Sequence, residues 1–177
     1  MGGRGSGRQS AFDAKQTVEG CLTLDINKIA RDKLLGQLFN SGTITWSNCH
    51  TGEKRATVGF SYSGGDNPTF TLIYTVTDRD GKKQDIRLPI LLEKTYPRLG
   101  GERWWFTCPL MIRGRPCERR VGKLYKPPNS VYFGCRHCHD LTYESCQDSH
   151  KFDGLFRSIA HDTGFSPEAV KRCLKRL

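Results

Sequence analysis

Four cysteines, Cys108, Cys117, Cys135 and Cys138, have the type and spacing to do chemistry in this chain. Cys135-Arg136-His137-Cys138 is a CxxC, the spacing at which two thiolates reach one metal ion from a single turn. Cys108 and Cys117 make the other arm, with eight residues between them and seventeen more before Cys135. Two cysteine arms joined by a hairpin are the layout of a zinc ribbon, whose four thiolates close a tetrahedral site. Such a site keeps no open position for a substrate, so a structural zinc is expected. The first arm is longer than the usual knuckle spacing of about two to four residues. Residues 111–116 must therefore loop out. His137, His139, Cys146 and His150 stand close enough in sequence to replace one ligand. A thioredoxin-like redox pair is the other reading of the CxxC, but that chemistry needs a βαβ setting that the flanking sequence lacks.

Of the eight cysteines, Cys21, Cys49 and Cys173 stand alone and are expected to act as small buried hydrophobes. No apolar run reaches the roughly 18 residues of a membrane span. No basic segment followed by an apolar one opens the chain, so no secretory signal is expected. A reducing, cytoplasmic setting favours metal ligation over disulfides. Catalytic machinery is not evident. A small nuclease of the ββα-metal type needs a histidine between its metal arms, and none lies between Cys117 and Cys135. His150 and His161 come later. Nuclease activity is thus the weakest reading, and no enzyme is expected.

The formal charge is +10 over 177 residues, which favours polyanionic partners through long-range attraction. Arg113, Arg115, Arg119, Arg120 and Arg136 surround the cysteines and are candidate phosphate contacts. Double-stranded DNA is the first expected partner. A host or phage protein complex is the second, because a metal site only fixes a scaffold. No membrane and no small-molecule substrate are implied.

The elements that must position these residues follow from periodicity. With 36 % apolar and 26 % charged residues, the chain can bury a core. Residues 1–14 read as a flexible basic tail, in which Arg4 and Arg8 could touch phosphate. Residues 15–100 read as a helix plus an antiparallel β domain. Asp25 is placed to cap a helix whose Ile26, Ile29, Ala30 and Leu34 share one face, with Gly36 as its stop. Alternation then predicts strands over Thr43–Trp46, Ala56–Tyr62, Thr69–Thr77 and Lys83–Leu91, with a tight hairpin at Asp78–Gly81. Trp46, Phe60, Tyr62, Phe70 and Tyr74 are expected mainly in the core, with a binding face as the alternative. Pro97–Glu102 reads as a boundary. Residues 101–150 then form the ribbon, with strands at Arg119–Tyr125 and Val131–Phe133.

Residues 151–177 read as a helical hairpin. Leu155, Phe156, Ile159 and Ala160 make one apolar stripe, and Gly164 ends that helix. Ser166 can cap the next, with Pro167 in its first turn and Phe165 stapled to Val170. Val170, Cys173, Leu174 and Leu177 are its expected buried face. The segment resembles the helix-turn-helix of bacterial and phage regulators. That likeness implies a recognition helix presenting Ser166, Glu168, Lys171, Arg172, Lys175 and Arg176 to DNA. The fold class is thus mixed, mainly β: an antiparallel meander, a zinc ribbon and a short helical hairpin.

Several segments carry a wider likeness: the opening MGGRGSGR, TVEGCLTLDI at 17–26, Gly42–Trp46, Trp105-Phe106-Thr107-Cys108-Pro109, Arg119-Arg120-Val121, Leu124-Tyr125 and FGCRHCHDLTYES at 133–145. On these the chain resembles a family of short, uncharacterised zinc-ribbon proteins of bacteria and their prophages. The resemblance implies a four-thiolate site and a phage or mobile-element setting, and supplies no catalytic residue. The long first arm and the helical tail depart from that pattern.

Overall fold

The computed structural model describes residues 15–48, 51–77, 80–148 and 153–174. The expectations for the 1–14 tail with Arg4 and Arg8, and for Cys49, His150, Lys175, Arg176 and Leu177, lie outside the described residues. The chain forms two compact units, one from Gly20–Leu141 and one joining Met1–Glu19 to Thr142–Leu177.

In the first unit, β1 (Leu22–Asp25) runs into α1 (Ile26–Arg31). Asp25 caps α1 as its sequence foretells, with its carboxylate accepting from the Asn27 backbone N at 2.9 Å. The helix ends before Gly36. Lys33 takes the left-handed conformation at φ 54°, while its N–H bonds Ala30 O and that of Leu34 bonds Ile29 O. This paired closure is a Schellman motif, built here on a lysine. Ile26 and Ile29 are buried, and α1 packs against β6.

Five long or medium strands follow: β2 (Phe39–Ser47), β3 (Lys54–Ser63), β4 (Thr69–Thr77), β5 (Lys83–Thr95) and β6 (Arg103–Thr107). With the short β9 (Arg120–Val121) they make a curled antiparallel sheet in the order β2-β3-β4-β5-β6-β9. Period-two burial places Val58, Phe60, Tyr62, Phe70, Leu72, Tyr74, Ile86, Leu88, Ile90 and Leu92 in the core. The aromatic residues Phe60, Tyr62, Phe70 and Tyr74 are therefore core, not a binding face. Phe60 and Phe70 stack at 5.0 Å. Trp46 is half-buried and donates its indole N–H to Thr23 O.

The tight hairpin expected at Asp78–Gly81 falls on Asp78 and Arg79, which lie outside the described residues; the strands that flank it pair up to Thr77 and Lys83. Two expectations change here. Pro97–Glu102 is the turn of the β5–β6 hairpin, since Thr95 pairs with Arg103, and no division of the chain falls near residue 100. Arg119–Tyr125 splits at Gly122 into β9, which joins the large sheet, and β10 (Lys123–Lys126), which pairs with β1. Gly122 O accepts from Ile26 N at 3.0 Å, which holds the break.

The second unit holds α2 (Glu144–Asp148), α3 (Asp153–Thr163) and α4 (Pro167–Leu174). Thr17 forms a parallel bridge with Thr142, and the Glu19 carboxylate accepts from Glu144 N at 3.1 Å. The expected helical hairpin is present. Gly164 takes φ 71° in the turn, and Ser166 Oγ accepts from Ala169 N at 3.3 Å. Ala160 and Val170 are buried where α3 packs on α4. Its apolar face is narrower than expected, because Leu155, Phe165 and Cys173 are exposed. The staple expected between Phe165 and Val170 thus leaves Phe165 in solvent. Among the described residues no helix is long and apolar enough to cross a membrane.

Candidate metal centre

The first cysteine arm begins where β6 ends. Cys108 N donates to Arg119 O at 2.9 Å, and Cys117 N donates to Leu110 O at 2.8 Å. Between them β7 (Met111–Ile112) and β8 (Arg115–Pro116) pair directly, so the residues expected to loop out form a hairpin. Its two-residue turn, Arg113-Gly114, has φ 51° and 76°. Positive φ at both positions is the signature of the type I′ turn that suits tight hairpins. The hairpin explains how a long arm still closes on one ion. It adds residues outward while its base holds Cys108 and Cys117 together. Glu118 then takes φ 48°, which turns the chain back into β9.

The second arm rests on β10. Tyr125 and Gly134 exchange both backbone hydrogen bonds, at 2.8 and 3.0 Å, and set the start of the CxxC. The rest of Val131–Phe133 is irregular and not a strand. Phe133 is fully buried, edge-on to Tyr74 and stacked with Trp46. Tyr74 also donates its hydroxyl to Val131 O at 2.8 Å. The arm is thereby anchored to the core of the sheet. Gly134 sits where the two arms approach closely: a Cβ there would meet the end of the Leu110 side chain, which would have to shift.

The four sulfurs lie within 4.8 Å of one another. Cys108 and Cys138 Sγ are 3.6 Å apart, Cys117 and Cys135 3.9 Å, and Cys135 and Cys138 3.4 Å. A tetrahedron with metal–sulfur bonds of about 2.3 Å has edges of about 3.8 Å. A disulfide would need about 2.05 Å. The donor set and its spacing therefore fit a metal ion such as zinc, held by all four thiolates, and do not fit disulfides. Cys108 and Cys135 are buried, while Cys117 and Cys138 are half-buried. Cys135 N also points to Cys108 Sγ at 3.3 Å, a backbone donor to a ligand sulfur.

Protonation shows what an ion must supply. Cys135 is pulled down, chiefly by the hydrogen bond from the Cys108 thiol. Cys108 is pushed up by that same bond and then by burial. Cys138 is pushed up, chiefly by burial. Sulfurs this close hold one negative charge readily and resist more. A divalent cation lets all four ionise.

The alternative ligands separate from the cluster. His137 is exposed, as is Cys146. His139 Nε2 is buried without a hydrogen-bond partner and contributes no atom to the cluster, and burial lowers the ring's basicity. Among the described residues no other group of three or more His, Cys, Asp or Glu side chains gathers in this way.

The candidate DNA contacts divide by partner. Arg113, Arg115 and Arg119 are exposed and form no ion pair among the described residues. Arg120 is paired with Glu93 at 3.4 Å, and Arg136 is half-buried and engaged elsewhere. Ser166 is committed to capping α4, and Arg172 is exposed on it; Lys171 lies on the same helix.

Sequence reading passed over the end of the β5–β6 hairpin. Lys94 Nζ lies 4.6 Å from the Trp104 ring centroid and Arg103 Cζ 4.1 Å from that of Trp105. The signal was in the alternation of cations and aromatic residues from Lys94 to Trp105. No protein family, curated protein or solved structure matches the chain.

Proposed function

We propose that the chain is a zinc-stabilised, non-enzymatic DNA-binding accessory or regulatory protein of a bacterial or phage setting. One observation carries this reading. The four-cysteine centre fixes the base of a rigid hairpin whose exposed Arg113 and Arg115 have no acidic partner among the described residues. The ion's role is to hold the two arms, since four thiolates complete its coordination. The arginines supply planar, always-charged donors that match phosphate oxygens. The +10 charge supplies the long-range attraction, and α4 adds the exposed Arg172 in a helix-turn-helix-like hairpin.

The test is binding of metal-loaded protein to duplex DNA across a salt series. A steep fall in affinity with salt is expected, and Arg113→Ala with Arg115→Ala should flatten that slope by about two phosphate contacts. No binding at low salt would overturn the reading. A second reading, a protein-binding ribbon, is favoured by Met111 and Ile112, which are 67 % and 41 % exposed on the same hairpin. Its mark would be a specific protein partner retained at high salt and lost in Met111→Asp.

A further inference from the structure

Adjacent residues of β6 carry two cation–indole pairs that differ in one respect. Lys94, over Trp104, is closed by Glu102 at 2.9 Å. Arg103, over Trp105, has no carboxylate partner among the described residues and is exposed. Its platform is nonetheless fixed. Trp105 Nε1 donates to Thr95 Oγ1 at 3.0 Å, and Thr95 Oγ1 donates to Arg103 O at 3.3 Å. The guanidinium carbon therefore sits 4.1 Å over an indole tethered by a hydrogen bond, and the group is open to solvent. Two further exposed residues share this hairpin end: Tyr96, at 72 %, and Arg98, which also lacks an ion-pair partner among the described residues.

We propose that the β5–β6 hairpin end is a single-stranded nucleic-acid contact, with Arg103 and Arg98 taking backbone phosphates and Tyr96 stacking on a base. The proposal rests on the nucleic-acid reading above and deepens it with a second contact element. A stacked arginine presents a pre-set planar fork, which suits a phosphodiester better than a free lysine does. An exposed tyrosine stacks without distorting a duplex when the base is unpaired, so a single strand is the partner that fits it best. A purely structural cation–indole pair is exemplified next door by Lys94, whose charge is already matched by Glu102.

The experiment uses full-length, metal-loaded protein and a fluorescein-labelled oligo-dT of about 15 nucleotides, long enough for a site of this kind. Anisotropy reads binding, and intrinsic tryptophan fluorescence, compared between wild type and Trp105→Phe, reads events at Trp105. Tyr96→Ala and Arg103→Ala should each weaken oligo-dT binding about tenfold. Tyr96→Phe should bind as wild type does, and Arg103→Lys should fall between. Tryptophan emission should change on titration with oligo-dT. Circular dichroism melting identifies any variant that fails to fold, and Tyr96→Phe against Tyr96→Ala keeps the test open if the arginine variants do. If duplex DNA binds and depends on Arg113 and Arg115, while Tyr96→Ala and Arg103→Ala leave oligo-dT affinity unchanged, this inference alone is overturned. Absence of binding to any nucleic acid overturns both.

Discussion

The large sheet and the cysteine arms of Gly20–Leu141 are held by different means. In the sheet, strands of up to thirteen residues alternate buried apolar and exposed polar side chains. Each pairing is supported by its neighbours and by a continuous core. In the arms, β7 and β8 have two residues each, and all of their side chains are exposed. Strands that short cannot sustain themselves through packing. Four sulfurs brought within 4.8 Å, and the ion they can hold, add a second tie to the one that Phe133 makes with the core of the sheet. The lesson is that one compact unit can divide its stability between area removed from water and a single coordination centre.

Breaking the second term should have the largest effect. Cys135→Ser, or removal of the ion by a chelator, should destabilise the unit by more than ~3 kcal/mol, because the two arms lose the ion that ties them to each other. Metal analysis should show one ion per chain in the wild type and none in the variant. Substitution by cobalt should give the absorption of a tetrahedral tetrathiolate site. Retention of stoichiometric metal by Cys135→Ser would show that the ligand set is wrong. In the sheet, Phe70→Ala should cost about 3–5 kcal/mol by opening a cavity, with the metal retained. Equal loss of metal in both variants would mean that the two regions are not energetically separable.

Gly134→Ala tests the contact between the arms. It should cost about 1–3 kcal/mol through overpacking against Leu110, and Leu110→Ala in the same chain should relieve part of that cost. Additive effects would show that the methyl does not meet Leu110.

Tyr74 joins the two regions, and its prediction is smaller. Burial first, then the nearby Tyr132, raise Tyr74 to about 12 from 10.0. The folded state therefore holds this proton more tightly than the unfolded chain. Its contribution is intact below about pH 10 and is lost as pH climbs towards about 12. Tyr74→Phe should cost about 1 kcal/mol at neutral pH by leaving Val131 O without its donor, and should reduce the alkaline sensitivity over that window. Chemical denaturation at pH 7 and pH 11 would read both; an unaltered alkaline profile would remove Tyr74 from that role.

The same contrast decides what the sequence revealed. Strands with strict alternation were visible from residue types, and so were the four ligands, because a CxxC with a second cysteine pair has few other uses. The Asp25 and Ser166 caps were visible because short oxygen-bearing side chains have a local partner. What escaped was non-local. Pro97–Glu102 carries the composition of a linker, yet the pairing of Thr95 with Arg103 makes it a turn within one sheet. Arg119–Tyr125 alternates poorly, and only the docking of Ile26 on Gly122 O shows why it serves two sheets. The Lys33 helix end could not be read, since a lysine in the left-handed region carries no compositional mark. The outward hairpin of the first arm was hidden by the expectation of a compact knuckle, although Arg113-Gly114 is a workable turn pair.

The pairing of β1 with β10 also has a consequence in time. Leu22 lies opposite Lys126, and Tyr125 on that same strand bonds Gly134 at the entrance to the second cysteine arm. As the chain leaves the ribosome, β2 to β5 can assemble from neighbours already made, whereas β1 must wait for a partner synthesised about a hundred residues later. Contacts so distant in sequence slow folding, because loop closure precedes their reward. Refolding should therefore show a fast phase for the meander and a slower one, accelerated by added zinc, in which the N-terminal strand is captured.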